Sequence, residues 1–283
     1  MGYPLEIETA STLESRKWAI FPTHFYLDMD TQKAREIDIL SFYEPVASNF
    51  KELKPLAFSP KLIVECKKTQ DHSLILFTRK NTFTFYDFTG HTYDFPVLLG
   101  KNREFHDPTK EFNYENVLSQ GLVHYKRFGR TSSIYKLIKS NSEKDKKDIY
   151  EAVMQLIKAQ IFDVEQAIQK DKTISHTHYP IYFSFLAIVF DGKMFEANII
   201  GNDIDLEEID YGLIETHYMP SYSDHPLHYQ IDVVKKEHLH NYLSQLEQDI
   251  KSLKDKIREH HLEMVEYLNR EKEIQISFGK RPR

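Results

Sequence analysis

The chain reads as an α/β protein: a mixed β-sheet core flanked by helices, with a long, coiled-coil-like C-terminal helix. Three observations point there. Short stretches of the first third alternate or run apolar, as strands do; an amphipathic helical pattern separates them from further strand-like segments; and leucine and isoleucine step by threes and fours after residue 239. With 283 residues, 41% of them hydrophobic, the chain can bury a substantial core. Its 19 Phe and 17 Tyr argue against disorder.

Taken in order, residues 7–17 (IETASTLESRK) suit a short opening helix. WAIFPTHFYLD (18–28) holds a proline and many aromatics, as an edge or bulged strand does. AREIDILSF (34–42) alternates, with Ile37 and Ile39 expected on one face and Glu36, Asp38 and Leu40 on the other. EPVASNFKELKPLAFSP (44–60) carries three prolines and reads as a loop. KLIVECK (61–67) is the next strand, and 72–88 is rich in β-formers. Residues 100–148 are polar, without a clear period.

DIYEAVMQLIKAQIFDVEQAIQK (148–170) is a helix, since Ile149, Val153, Leu156, Ile157, Ile161 and Val164 share one face. PIYFSFLAIVF, Asp191-Gly192 and KMFEANII read as strand, turn, strand. YQIDVV (229–234) is a final strand. In the closing helix Leu239, Leu243, Leu246, Ile250, Leu253, Ile257, His260, Met264 and Tyr267 keep a heptad register. Such a seam serves a homodimer or an intrachain helix pair; the homodimer is carried forward. The expected division is a mixed α/β domain over 1–235 and a helical, coiled-coil arm over 236–283.

Net charge is −6, so no global basic field attracts nucleic acid, and a patch would have to hold it. Cys66 stands alone, which excludes a disulfide framework and a thiolate zinc cluster. The N-terminus has no apolar signal region and no myristoylation pattern. The longest apolar stretch, 179–190, is too short to cross a bilayer. The default is a soluble cytoplasmic protein without a membrane partner.

Two strands carry the chemistry. Glu65 and Lys67 share one face of KLIVECK, while Leu62, Val64 and Cys66 face the core. Asp38 stands among the isoleucines of the preceding strand. If the strands pair, Asp38 and Glu65 meet at one end of a sheet. Two carboxylates that close repel unless a cation or proton sits between them. Their hard oxygens suit Mg²⁺ or Mn²⁺, with the Cys66 carbonyl as a further ligand. A lysine beside such a metal orients or deprotonates a water and stabilises charge building on a phosphate.

This pattern resembles the PD-(D/E)XK nuclease superfamily, whose fold is restriction-endonuclease-like. The motif order matches: an acidic helix residue, Glu14 in TLESRKW; a strand Asp, Asp38 in REIDILSF; and Glu65-Cys66-Lys67 in KLIVECKK. The motifs lie within 14–67, and as architecture the resemblance spans about 5–235. It implies that Asp38 and Glu65 hold the metal, that Lys67 acts on the attacking water, and that a helical Glu supports the metal shell. Glu14 is the assignment, with Glu6 and Glu8 as alternatives. Gln155 or Gln160 of the later helix is a further candidate for the site. The chain departs from the pattern in two ways: 27 positions separate Asp38 from Glu65, implying an inserted loop, and no proline precedes Asp38. Glu52-Leu53-Lys54 also fits Glu-x-Lys, but no apolar strand leads into it and a proline follows.

The expectation is a Mg²⁺-dependent nuclease cutting DNA ahead of RNA, in restriction, phage defence or repair, and open to a protein partner in a larger complex. The alternative is a catalytically silent module that binds nucleic acid or protein and assembles through its coiled coil. YKRFGRTSSIYKLIK (125–139) concentrates Lys126, Arg127, Arg130, Lys136 and Lys139 among aromatics and is the nucleic-acid-contact candidate, against a plain solvated helix face. The His-rich stretches 176–179 and 217–229 lack zinc-ligand spacing and read as loops, and the acidic pairs 28–30 and 203–205 read as solvated turns.

Overall fold

The computed structural model describes residues 3–47, 56–78, 137–139, 143–171, 179–200, 203–219, 227–259, 261–262 and 265–266. In chain order its elements are α1 (Tyr3–Ser15), β1 (Trp18–Asp28), β2 (Lys33–Tyr43), α2 (Glu44–Ala47), β3 (Leu56–Thr78), β4 (Leu137–Lys139), α3 (Glu143–Asp171), β5 (Tyr179–Ile200), β6 (Asp203–Glu208), β7 (Tyr211–Tyr218) and β8 (Leu227–Lys235). A single 3₁₀ turn (Lys236–His238) then leads into α4 (Leu239–Glu259).

The sheet runs β1-β2-β3-β5-β8-β7, with β4 added to β3 and β6 to β5. It is mixed: β3, β5 and β8 are parallel, and the other pairs are antiparallel. Parallel neighbours need a crossover, and α3 lies on the long connection from β3 to β5. The centres of β3 and β5 read as continuous apolar runs because both faces are covered. One face packs Leu62, Val64, Cys66, Phe185, Ala187 and Val189 against Leu5 and Leu13 of α1 and the apolar stripe of α4. The other packs Ile63, Leu186, Ile188, Phe190, Ile231 and Val233 against Ile149, Val153, Leu156, Ile157 and Ile161 of α3. Three layers result. No helix among the described residues is long and apolar enough to cross a membrane.

Several expectations change. The 44–60 stretch is not loop throughout: α2 occupies 44–47, and β3 already begins at Leu56. Pro60 is tolerated because the pairing with β2 reaches only Lys61, so on that side it has no ladder bond to lose. Asp191-Gly192 is not a turn, and β5 passes straight through it. There β3 carries extra residues between Lys68 and Ser73. Asp191 pairs with Lys68 at 2.6 Å, and a Cβ on Gly192 would stand 2.6 Å from Thr69 Oγ1. The glycine serves close approach rather than chain reversal. β6 and β7 were not anticipated, and Asp203 and Asp205 lie on β6, exposed.

The C-terminal seam is spent within the chain. Leu239, Leu243, Leu246, Ile250, Leu253 and Ile257 are buried in the same cluster as Leu5, Trp18 and Val64. As far as Ile257 the helix is therefore part of the core rather than a separate arm, and this stripe has no apolar surface left for a homodimer. His260, Met264 and Tyr267 lie outside the described residues.

The join between α1 and α4 is ionic. α1 is followed by a turn at Arg16 and Lys17, where Lys17 has a left-handed φ of 66°, and β1 opens on the buried Trp18. Arg16 donates to both oxygens of Glu247 at 2.8 and 2.7 Å, and Trp18 Nε1 donates to the same carboxylate at 3.1 Å. Removing the acceptor leaves a largely buried guanidinium with the His240 ring at 2.9 Å in place of a carboxylate, and leaves the buried indole N–H without its acceptor. Glu247→Ala is expected to lower unfolding free energy by about 3 kcal/mol in urea titration; a loss under about 0.5 kcal/mol would place this anchor among the ordinary surface pairs.

Candidate metal and catalytic site

β2 and β3 are in register from Phe42↔Lys61 to Ile39↔Val64, where their ladder stops. The next opposed pair is Asp38 and Glu65. Asp38 takes over from the ladder there: its Oδ2 accepts the Cys66 main-chain N–H at 2.7 Å. The amide and carbonyl of a strand residue leave toward the same neighbour, so the Cys66 carbonyl also faces the Asp38 side. The site occupies the notch where the two strands part.

The backbone is irregular at this level. Ile37 packs with the α3 layer and Ile39 with the α1–α4 layer, so the expected common face is broken at Asp38. Across from it Thr23 of β1 has φ of 54°, and no pair forms between the flanking Pro22↔Ile39 and His24↔Ile37.

Glu65 is 1% exposed. Its Oε2 accepts from Lys67 Nζ at 2.6 Å, while Oε1 is buried and has no hydrogen-bond partner among the described residues. Such an orphan costs about 1–3 kcal/mol. Burial pushes the Glu65 carboxyl up to about 7; Lys67 opposes this and the Asp38 carboxylate reinforces it. For Lys67, burial favours the neutral amine, but Glu65 and Asp38 outweigh it and hold the ammonium above its usual range. The Lys67 side chain keeps 24% of its surface exposed, so its charge reaches solvent.

Cys66 points into the core as expected. Its Sγ lies 3.6 Å from Thr9 Oγ1, and burial pushes the thiol up to about 12. The sulfur faces the core, away from the notch, so the carbonyl is the Cys66 group on the side where a metal would sit.

Of the helical acids, Glu6 is the one near the site. Burial, then Asp38 and Glu36, raise its carboxyl, and Lys67 pulls the other way. Glu14 is exposed and lies eight residues further along α1, about 12 Å away along the axis. Glu8 pairs with Lys236. The assignment thus moves from Glu14 to Glu6, the residue one helix turn from buried Thr9. Gln160 is buried and donates to the Ser184 carbonyl at 3.4 Å. Ser184 is paired with Lys61, four residues short of Glu65, so Gln160 stands away from the notch. Gln155 is half-buried on the same helix.

Among the described residues no three His, Cys, Asp or Glu side chains form a ready metal cluster. What fits a cation is the carboxylate pair Asp38–Glu65, the orphaned Glu65 Oε1 and the Cys66 carbonyl. Mg²⁺ suits such a set, since it is commonly held by one or two carboxylates and keeps several waters.

Lys126, Arg127, Arg130 and Lys136 lie outside the described residues; Lys139 is on β4, its backbone paired with Leu74. Glu52-Leu53-Lys54 also lies outside them. The 28–30 pair does form a turn, but Asp28 is buried: it accepts the Asp30 and Thr31 amides at 3.1 and 3.3 Å and pairs with Lys158 of α3 at 2.8 Å. Nothing local in the sequence marks Thr23, because its unusual feature is backbone geometry and not side-chain chemistry.

No protein-family model, curated protein or solved structure matches the chain.

Burial holds the Glu65 carboxyl up at about 7 in the folded protein, above the ordinary glutamate value of 4.5, so between the two the folded protein holds a proton that the unfolded chain has released. The stability this proton contributes is complete below about pH 4.5 and is lost as pH climbs through about 7. In EDTA, Glu65→Gln is expected to match wild type at about pH 5 and to exceed its thermal midpoint increasingly toward about pH 8. Midpoint curves that stay parallel across this range would mean that Glu65 does not titrate there.

Proposed function

We propose that the chain is a divalent-cation-dependent nuclease of the PD-(D/E)XK type, built on a restriction-endonuclease-like core, which hydrolyses phosphodiester bonds in DNA ahead of RNA. The observation that carries this reading is the notch itself: Asp38 and Glu65 opposed where β2 and β3 part, with Lys67 on the same strand and Glu65 Oε1 buried without a partner. A buried carboxylate oxygen left open beside a second carboxylate is what a cation site looks like when described without its ion.

Asp38 and Glu65, with the Cys66 carbonyl, would hold the cation. When bound, it polarises the phosphate and the attacking water as a Lewis acid. Asp38 is braced for this by the Cys66 amide, which fixes one of its oxygens. Glu65 would have to give up its proton or its lysine partner to hold a cation, so cation binding would strengthen as pH rises toward 7. Lys67, held as the ammonium by Glu65 and Asp38 in the metal-free site, would attract and steady the phosphate oxygens beside the attacking water. Glu6 adds negative charge on the α1 side of the notch. Action in restriction, phage defence or repair, with a protein partner in a larger complex, fits such chemistry. The silent-module reading would treat Glu65–Lys67 as a closed structural ion pair; the orphaned Oε1 speaks against it.

Supercoiled plasmid incubated with the protein is expected to be nicked with Mg²⁺ or Mn²⁺ and left intact in EDTA. Asp38→Ala and Lys67→Ala should each cut at least about a hundredfold more slowly. If both variants cut as well as wild type, the assignment is wrong.

A further inference from the structure

We infer that Thr23 on edge strand β1 is a positioning residue whose left-handed backbone turns Asp38 into the notch. The inference rests on the metal-site reading and deepens it. A side chain in a regular strand stands roughly perpendicular to the sheet. Asp38 instead accepts the Cys66 main-chain amide at 2.7 Å, a group that lies in the sheet. The strand must be rotated locally to allow this, and the rotation is visible on both strands at one level. In β1, Trp18 and Ile20 pack with the α1–α4 layer, yet Tyr26, an even number of residues on, packs with the α3 layer. In β2, Ile39 and Ile37 divide in the same way. Thr23 and Asp38 stand opposite each other at the crossover, and they are the one unpaired position between Pro22↔Ile39 and His24↔Ile37.

Thr23 is the residue with the unusual backbone, at φ of 54°. A β-branched residue there is disfavoured, a cost of about 1–3 kcal/mol. Thr23 is exposed, so burial of its own side chain does not offset this. The register on either side of it is unshifted, so the strain changes which face the strands present and not where they pair. Its product is the in-plane Asp38 carboxylate.

Three variants separate the possibilities. Asparagine tolerates the left-handed region, so Thr23→Asn should keep Mn²⁺ affinity within about twofold and raise the thermal midpoint by about 2–4 °C. Thr23→Gly should likewise keep the affinity. Proline locks φ near −65°, so Thr23→Pro should lose at least about tenfold in Mn²⁺ affinity by calorimetry. In the same variant the Cys66 amide, followed by ¹⁵N-edited NMR in EDTA, should move upfield and exchange faster with solvent. A Thr23→Pro protein with wild-type Mn²⁺ affinity and an unmoved Cys66 amide overturns the inference. So does a Thr23→Asn protein that is less stable than wild type or binds Mn²⁺ more weakly, a result that decides the matter even if the proline variant does not fold. The amide signal needs no metal. Wild type that fails to bind Mn²⁺ therefore counts against the nuclease reading, while the Cys66 amide still reports on Thr23.

Discussion

Parallel pairing of β3 with β5 is the constraint from which the architecture follows. The two strands lie side by side from Leu56↔Tyr179 to Thr78↔Asn198, and over their central part both faces of both strands are covered. A parallel pair cannot be closed by a tight turn, so the chain must travel over the sheet and back. α3 covers one face on that journey. α1 and α4, from the two ends of the chain, cover the other, locked to each other by the Arg16–Glu247 pair and the Trp18 indole. β2 can then pair only along the free side of β3, and its ladder ends after four residue pairs. The notch exists because that ladder stops inside the sheet rather than at its rim.

Burial sets the chemistry of the notch. Glu65 is hidden because it stands on β3, the strand covered on both sides, and a carboxylate there is costly unless it is paired. Burial lifts the carboxyl toward neutrality, Lys67 offsets part of this, and Asp38 works against Lys67. The same geometry keeps Lys67 cationic and partly open to solvent. A carboxyl held near 7 beside a second carboxylate and a lysine changes charge within the neutral range, where an unperturbed glutamate does not. The thiol of Cys66, one residue away, is turned to the core and takes no part. Strand alternation alone separates these two fates.

Much of this was legible in the residues. The helix over 148–170, the strands bearing Asp38 and Glu65-Cys66-Lys67, and the inward thiol follow from period 3.6 and period 2, which are local properties. What failed was of another kind. Asp191-Gly192 has the composition of a turn, yet Asp191 pairs with Lys68 and Gly192 makes room for Thr69, partners more than 120 positions away in the chain. The heptad seam looked like a dimer interface because an apolar stripe does not say whether its partner is another helix or the chain's own sheet. Glu14 looked as good as Glu6 because only the docking of α1 decides which acid lies beside Asp38.

The sequence by itself determined the chemical inventory: two carboxylates and a lysine on apolar strands, too little basic charge for a global field, and enough apolar residues for one large core. Tertiary structure alone decided that Asp38 and Glu65 are opposed, that one Glu65 oxygen is left without a partner, and that the strands turn over at Thr23 and Asp38. The physical reason is that register, burial and backbone rotation are set by contacts between distant segments, and no local period encodes them.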